Sequence, residues 1–195
     1  MRKTLWIFVV ICVSDVCVVR YSTWTYDKTD QYLQICLAYG LWPGFFSADA
    51  ASATYFGNHS LFDRDRPLFK MFIPPLHKIN EAGWQPVTLA NVSADSGGPF
   101  QLERWGAGFG EGKAQLLFTV RSLTAVASHG VVLRVHGREL GLSDPQGFSA
   151  REIVHDKPVS LSQAGGRVEL AVGTIAANQT LVLEVAHKGS KPRAK

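Results

Sequence analysis

Cysteine is scarce in this chain. Three in 195 residues are too few for a disulfide scaffold and too few for a structural zinc site. The six histidines form no His-Glu-x-x-His pattern, so the common zinc-hydrolase signature is missing. Neither Gly106-Ala-Gly-Phe-Gly-Glu-Gly112 nor Gly112-Lys113-Ala114 has the spacing of a dinucleotide or phosphate loop, and the expected cofactors are none. No apolar run approaches the roughly 20 residues that a spanning helix needs, because Asp15 interrupts the one that begins at Leu5. Charge is modest at 18%, against a hydrophobic fraction of 46%, which excludes a disordered or collagen-like chain. The excess of 20 Lys and Arg over 16 Asp and Glu lies in one place. Lys188, Lys191, Arg193 and Lys195 crowd the last eight residues with no acid among them, so the preceding 187 residues are neutral. A nucleic-acid surface needs Lys and Arg clustered on the fold itself, and no nucleic-acid partner is expected.

What the chain does contain begins with a basic and apolar N-terminus. Arg2 and Lys3 precede the run Leu5–Val13, the outline of a signal peptide cleaved after Ser14. The same Trp, Ile, Phe and Val residues also suit a strand covered on both faces. The first reading places the protein outside the cell and the second in the cytoplasm. Neither makes it a membrane protein.

Asp27–Tyr39 has helical spacing and stops at Gly40, where a glycine can take the left-handed conformation that ends a helix. Leu41–Ser47 is dense and aromatic and reads as a strand, although Pro43 and Gly44 make it irregular. A loop of small and polar residues follows. A second helix is expected from Asp65 to Ala82, with Leu68, Phe69, Phe72, Leu76 and Ile79 on one face. Asp63 and Asp65 stand where N-caps belong, Pro67 suits a first turn, and Pro74-Pro75 should kink or split the element.

From about Asn91 the composition changes. Residues 93–112 are rich in Gly and Ser, and the run at 106–114 reads as a flexible hairpin. Short runs then recur between turn signals: Gln115–Arg121, Val131–Val135, Glu152–His155, Arg167–Val172 and Thr180–Ala186. Such punctuation indicates an antiparallel sandwich. Three sequons, at Asn58, Asn91 and Asn178, matter only in a secreted eukaryotic chain. The cysteines, lacking Cys-x-x-Cys spacing, read as buried free thiols.

The run Tyr39-Gly-Leu-Trp-Pro-Gly-Phe-Phe-Ser-Ala-Asp49, with Tyr55-Phe56, Arg64-Asp-Arg-Pro-Leu-Phe-Lys70 and Glu81-Ala-Gly-Trp-Gln-Pro-Val-Thr88, resembles a glycoside-hydrolase-like family. Its members pair a (β/α)8 barrel with a C-terminal β-sandwich. The resemblance is close over residues 30–90 and departs most at Asp15–Thr25. It implies an α/β plus all-β chain: the terminal fragment of a (β/α)8 barrel followed by an antiparallel β-sandwich. Residues 27–46 would be the barrel's last helix-and-strand step, 63–82 its closing helix and 5–13 the preceding strand. The expected organisation is a partial barrel segment at 1–91, the sandwich at 92–187 and a disordered basic tail at 188–195.

A barrel site lies at the C-terminal ends of the strands. That points to Ser47 and Asp49 and to the loop with Tyr55, Phe56, Asn58 and His59 as substrate-binding residues, because flat rings beside amide and carboxylate groups suit a sugar. The same residues also suit a loop whose Asp caps a turn and whose rings pack on the barrel. Glycoside hydrolysis needs two carboxylates across the scissile bond. Asp49 alone sits at a strand end, while Asp63 and Asp65 lie between arginines and suit capping and ion pairing. No catalytic residue is therefore assigned. The implied function is a C-terminal fragment of a glycoside-hydrolase-like protein that is not catalytic alone. Two alternatives stand beside it: a carbohydrate-binding accessory sandwich with Trp105 as its exposed ring, and a small secreted β-protein with a cleaved signal peptide. The expected partners are carbohydrate and, through unpaired barrel edges, other copies of the chain.

Overall fold

The computed structural model describes residues 11–13, 16–20, 25–46, 55, 58–110 and 113–188. The apolar run at 5–10 and the basic residues at 189–195 lie outside them, and with these the signal-peptide and disordered-tail expectations. Helix α1 (Tyr26–Tyr39) starts where the Thr25 hydroxyl accepts the Lys28 N–H, and ends where Gly40, at φ 67°, returns its own N–H to Cys36 and Leu37. Its Leu33, Cys36 and Leu37 are almost fully buried.

Helix α2 (His59–Ala82) starts earlier than expected. Asn58 holds the N-cap position, so Asp63 and Asp65 are helix residues and not caps. Pro67, Pro74 and Pro75 all lie inside one continuous helix. Each proline removes a bond to the carbonyl four residues back. Two of the residues that carry those carbonyls, Asp63 and Lys70, are exposed, where solvent can satisfy a freed carbonyl. The buried face of Leu68, Phe72, Pro75, Leu76 and Ile79 supplies the cohesion that holds the element together.

Strands β1 (Ile11–Val13), β2 (Val16–Arg20) and β3 (Trp42–Phe46) form a small sheet in that order. β2 and β3 run parallel, with α1 as the crossover between them. β1 runs antiparallel to β2. The strand that precedes α1 is thus β2, inside the stretch where the family resemblance is weakest, and not the apolar run at 5–13. An antiparallel neighbour is also foreign to an all-parallel barrel.

The remaining strands make one curled antiparallel sheet. They are β4 (Trp84–Gln85), β5 (Ala90–Ser93), β6 (Phe100–Gly110), β7 (Lys113–Ser122), β8 (Ser128–Val135), β9 (Phe148–Glu152), β10 (Lys157–Ala164), β11 (Arg167–Ile175) and β12 (Thr180–His187). Their order is β4-β6-β7-β12-β9-β10-β11-β8-β5. β10 turns the corner: Lys157–Val159 pair with β9, and Ser160–Ala164 pair with β11. The two halves enclose a core that includes Leu116, Phe118, Val120, Leu133, Leu170 and Leu183. The glycine-rich hairpin expected at 106–114 is the antiparallel pair of β6 with β7, which meet out to Gly110 and Lys113. Its glycines allow close backbone approach, since a Cβ on Gly106 would collide with the Gln115 carbonyl.

Side chains on a strand alternate between faces, and β7 and β12 are buried on both. Leu117 and Val182 point away from that core into a second one, formed with Leu33, Leu37, Leu68, Phe72, Leu76, Ile79 and Trp105. The two helices therefore lie on the outer face of β6, β7 and β12. Polar bonds secure the seam: the Thr180 N–H donates to Gln34 Oε1 at 2.7 Å, and the Thr119 hydroxyl donates to the Ala38 carbonyl at 2.9 Å.

Candidate functional site

Asp65 is fully buried, and a buried carboxylate needs partners. Four donors meet it. Thr29 Oγ1 and Tyr55 Oη donate to Oδ2 at 2.8 and 2.7 Å, while Arg64 Nε donates to Oδ1 at 2.6 Å and Nη2 to Oδ2 at 2.7 Å. Burial alone would push the Asp65 carboxyl up, but the hydrogen bonds from Arg64, Tyr55 and Thr29 hold it below the usual carboxylate range. The same surroundings push the Tyr55 phenol up, first by burial and then by its bond to Asp65. The network ties the start of α1, the segment before α2 and α2 itself to one point. A carboxylate saturated in this way is held as an anion and is ill suited to passing protons.

Of the residues expected to bind sugar, Ser47, Asp49 and Phe56 lie outside the described residues. Tyr55 has no exposed surface and presents its hydroxyl to Asp65. Asn58 and His59 are exposed, and His59 stands 4.0 Å from Asp63 on the first turns of α2. Tyr55 and Asn58 are joined by the Asn58 N–H, which donates to the Tyr55 carbonyl at 3.1 Å. Tyr32 braces β3 nearby, its hydroxyl donating to the Gly44 carbonyl at 3.1 Å and accepting the Gly44 N–H at 2.9 Å.

Among the described residues, the other buried carboxylate is Glu152. It accepts the backbone N–H groups of Val154 and His155 at 2.7 and 2.9 Å and so shapes the turn after β9. Asp30, on α1, has its carboxyl pushed up by burial, an effect that a hydrogen bond from Gln34 opposes and the neighbouring Asp27 charge reinforces. No group of three or more His, Cys, Asp or Glu that would hold a metal ion stands together among the described residues, and none of their helices is long and apolar enough to cross a membrane.

Trp105 is not the exposed ring expected of it. Only 4% of its surface is accessible, its indole N–H donates to Thr119 Oγ1 at 3.2 Å, and it forms the floor of a groove where the two helices end. The exposed ring is Trp84, 55% accessible, with Tyr39 at 52%. Trp84 and Trp105 are direct partners across β4 and β6, so they share a face, and Glu103 lies two residues from Trp105 on that same face. Trp84 Nε1 donates to Glu103 Oε2 at 2.9 Å. Asn80, on the last turn of α2, closes another side, its amide donating to the Gly40 and Leu76 carbonyls at 3.0 and 2.9 Å. The groove encloses about 620 Å³.

No protein-family model and no curated protein matches the chain. Solved structures with a partly similar layout are glycoside hydrolases. A GH27 β-L-arabinopyranosidase from Geobacillus stearothermophilus aligns with a TM-score of 0.42 at 13% identity, over 88% of this chain and 32% of that one. The Thermotoga maritima α-fucosidase aligns with a TM-score of 0.36 at 15% identity, over 84% and 35%. A Thermotoga maritima α-L-fucosynthase aligns with a TM-score of 0.39 at 12% identity, over 87% and 38%. The chain spans about a third of the length of these structures. Scores and identities at this level leave the functional reading to the residues themselves.

Proposed function

We propose that the chain is the C-terminal part of a glycoside-hydrolase-like protein and does not cleave glycosides by itself. The observation that carries this reading is the β2–α1–β3 step. A parallel pair joined through a helix is the repeating unit of parallel α/β layers, and here it is followed by a second helix packed on an antiparallel sheet. Residues 1–91 are then a partial barrel segment and residues 92–187 the sandwich. In that frame Ser47 and Asp49 follow the end of β3, where a barrel places its substrate, with Tyr55, Phe56 and Asn58 leading into α2 and His59 on its first turn. The inactivity rests on the carboxylates: Asp65, saturated by its four donors, is not available as the second acid that a displacement at Asp49 requires.

The genomic sequence upstream of Met1 tests the fragment reading. A reading frame that continues upstream with further strand–helix steps supports it. An in-frame stop just before Met1, with a natural protein whose N-terminus lies near Asp15, contradicts it and favours a secreted β-protein.

A further inference from the structure

We propose that the groove between Tyr39, Asn80, Trp84 and Glu103 is a binding site for a neutral oligosaccharide. The inference stands on the groove's own chemistry and holds whether or not the chain is part of a longer enzyme. Two aromatic rings, each more than half accessible, line one opening together with a carboxylate and an amide. Exposed tryptophan is uncommon because its ring is costly to hydrate. Trp84 is nevertheless held in place by its bond to Glu103 and by pairing opposite Trp105, so its ordering cost is met before any ligand arrives.

The polar atoms select the ligand class. Glu103 commits Oε2 to Trp84, and Asn80 commits its amide nitrogen to Gly40 and Leu76. Glu103 Oε1, Asn80 Oδ1 and the Tyr39 hydroxyl make no hydrogen bond among the described residues. The two side-chain oxygens accept and the phenol both donates and accepts, beside apolar ring faces, the complement of a pyranose, which offers hydroxyls at its edge and C–H groups on its faces. No Lys, Arg or His lines the groove, and although the buried Arg121 acts electrostatically on Tyr39 at its edge, the one charge in the lining that an acidic sugar or a phosphate would touch is that of Glu103. The volume of about 620 Å³ falls within the roughly 300–1,000 Å³ of small-molecule sites. The groove is open along the surface, which suits a chain of sugars.

Calorimetric titration of the full chain with cellohexaose, xylohexaose and mannohexaose tests this, with trigalacturonate and choline chloride as an anionic and a cationic probe. The expected result is saturable binding of at least one neutral hexasaccharide and none of either charged probe. Stacking on one ring is worth about 0.5–1.5 kcal/mol, so Trp84→Ala and Tyr39→Ala should each weaken binding by up to about tenfold. Tyr39 is a surface ring that supports no core, so its variant remains decisive if Trp84→Ala does not fold. Failure of all three hexasaccharides to bind overturns the proposal. So does binding that both substitutions leave unchanged, or binding of choline in place of sugar.

Discussion

Gly40 and Trp105 meet where no side chain fits: a Cβ on Gly40 would run into the six-membered ring of Trp105. Gly40 ends α1 and Trp105 belongs to β6, so this one contact sets how closely the helix layer approaches the sheet. Gly40→Ala adds strain at φ 67°, about 1–2 kcal/mol, and overpacking, about 1–3 kcal/mol. Urea melts should show the loss. In a double-mutant cycle, Trp105→Phe should relieve part of the Gly40→Ala penalty, and strictly additive losses would show that the ring is not what excludes the Cβ.

The Asp65 network makes a pH prediction with a definite sign. The folded-state pKa is lowered, so the charged form stabilises the fold. That contribution is complete above the unfolded carboxyl's value, near about 3.9, and is lost as pH falls through the lower folded value. Asp65→Asn removes the charge that Arg64, Tyr55 and Thr29 surround and should cost about 3 kcal/mol at neutral pH. Thermal melts between pH 2 and 7 should show the gap between variant and parent narrowing in acid. A gap that widens in acid would reverse the assigned role.

At the seam between α1 and β12, Thr180 spends both of its donors on Gln34, its N–H on the side chain and its hydroxyl on the carbonyl, each at 2.7 Å. Gln34→Leu strands a buried N–H and should cost about 1–3 kcal/mol, with faster hydrogen exchange at the Thr180 amide. The neighbouring pair Lys78–Glu184, 2.6 Å apart but partly exposed, should matter little, and Lys78→Met should stay within about 1 kcal/mol of the parent. Equal effects at the two positions would mean that burial does not govern the seam.

Much of this architecture was legible in the residues. Helix α1 announces its end through Gly40, and the strands β7, β8, β11 and β12 through apolar runs between turn residues. The start of α2 was not, because Asn58 caps without a side-chain bond and Pro67 imitates a first-turn residue. β10 was missed because its side chains are mostly exposed and leave no apolar pattern. Trp105 misled for a different reason. Its flanking glycines looked like a flexible loop, yet Gly106 makes room for the Gln115 backbone and leaves the ring buried. Two contacts that matter most, Tyr55 with Asp65 and Trp84 with Glu103, depend on where Tyr55 lies against α2 and on the β4–β6 register. Neither leaves a mark in local sequence.

The central claim, a glycoside-hydrolase-like chain without its own catalysis, is tested most directly by a turnover assay. The full chain would be incubated at high concentration with aryl α- and β-glycosides of galactose, fucose, arabinose, glucose and xylose across pH 4–8, and release of the phenol measured. The account predicts release no faster than in buffer for every glycoside. Release that scales with protein concentration and disappears in Asp49→Asn would contradict it.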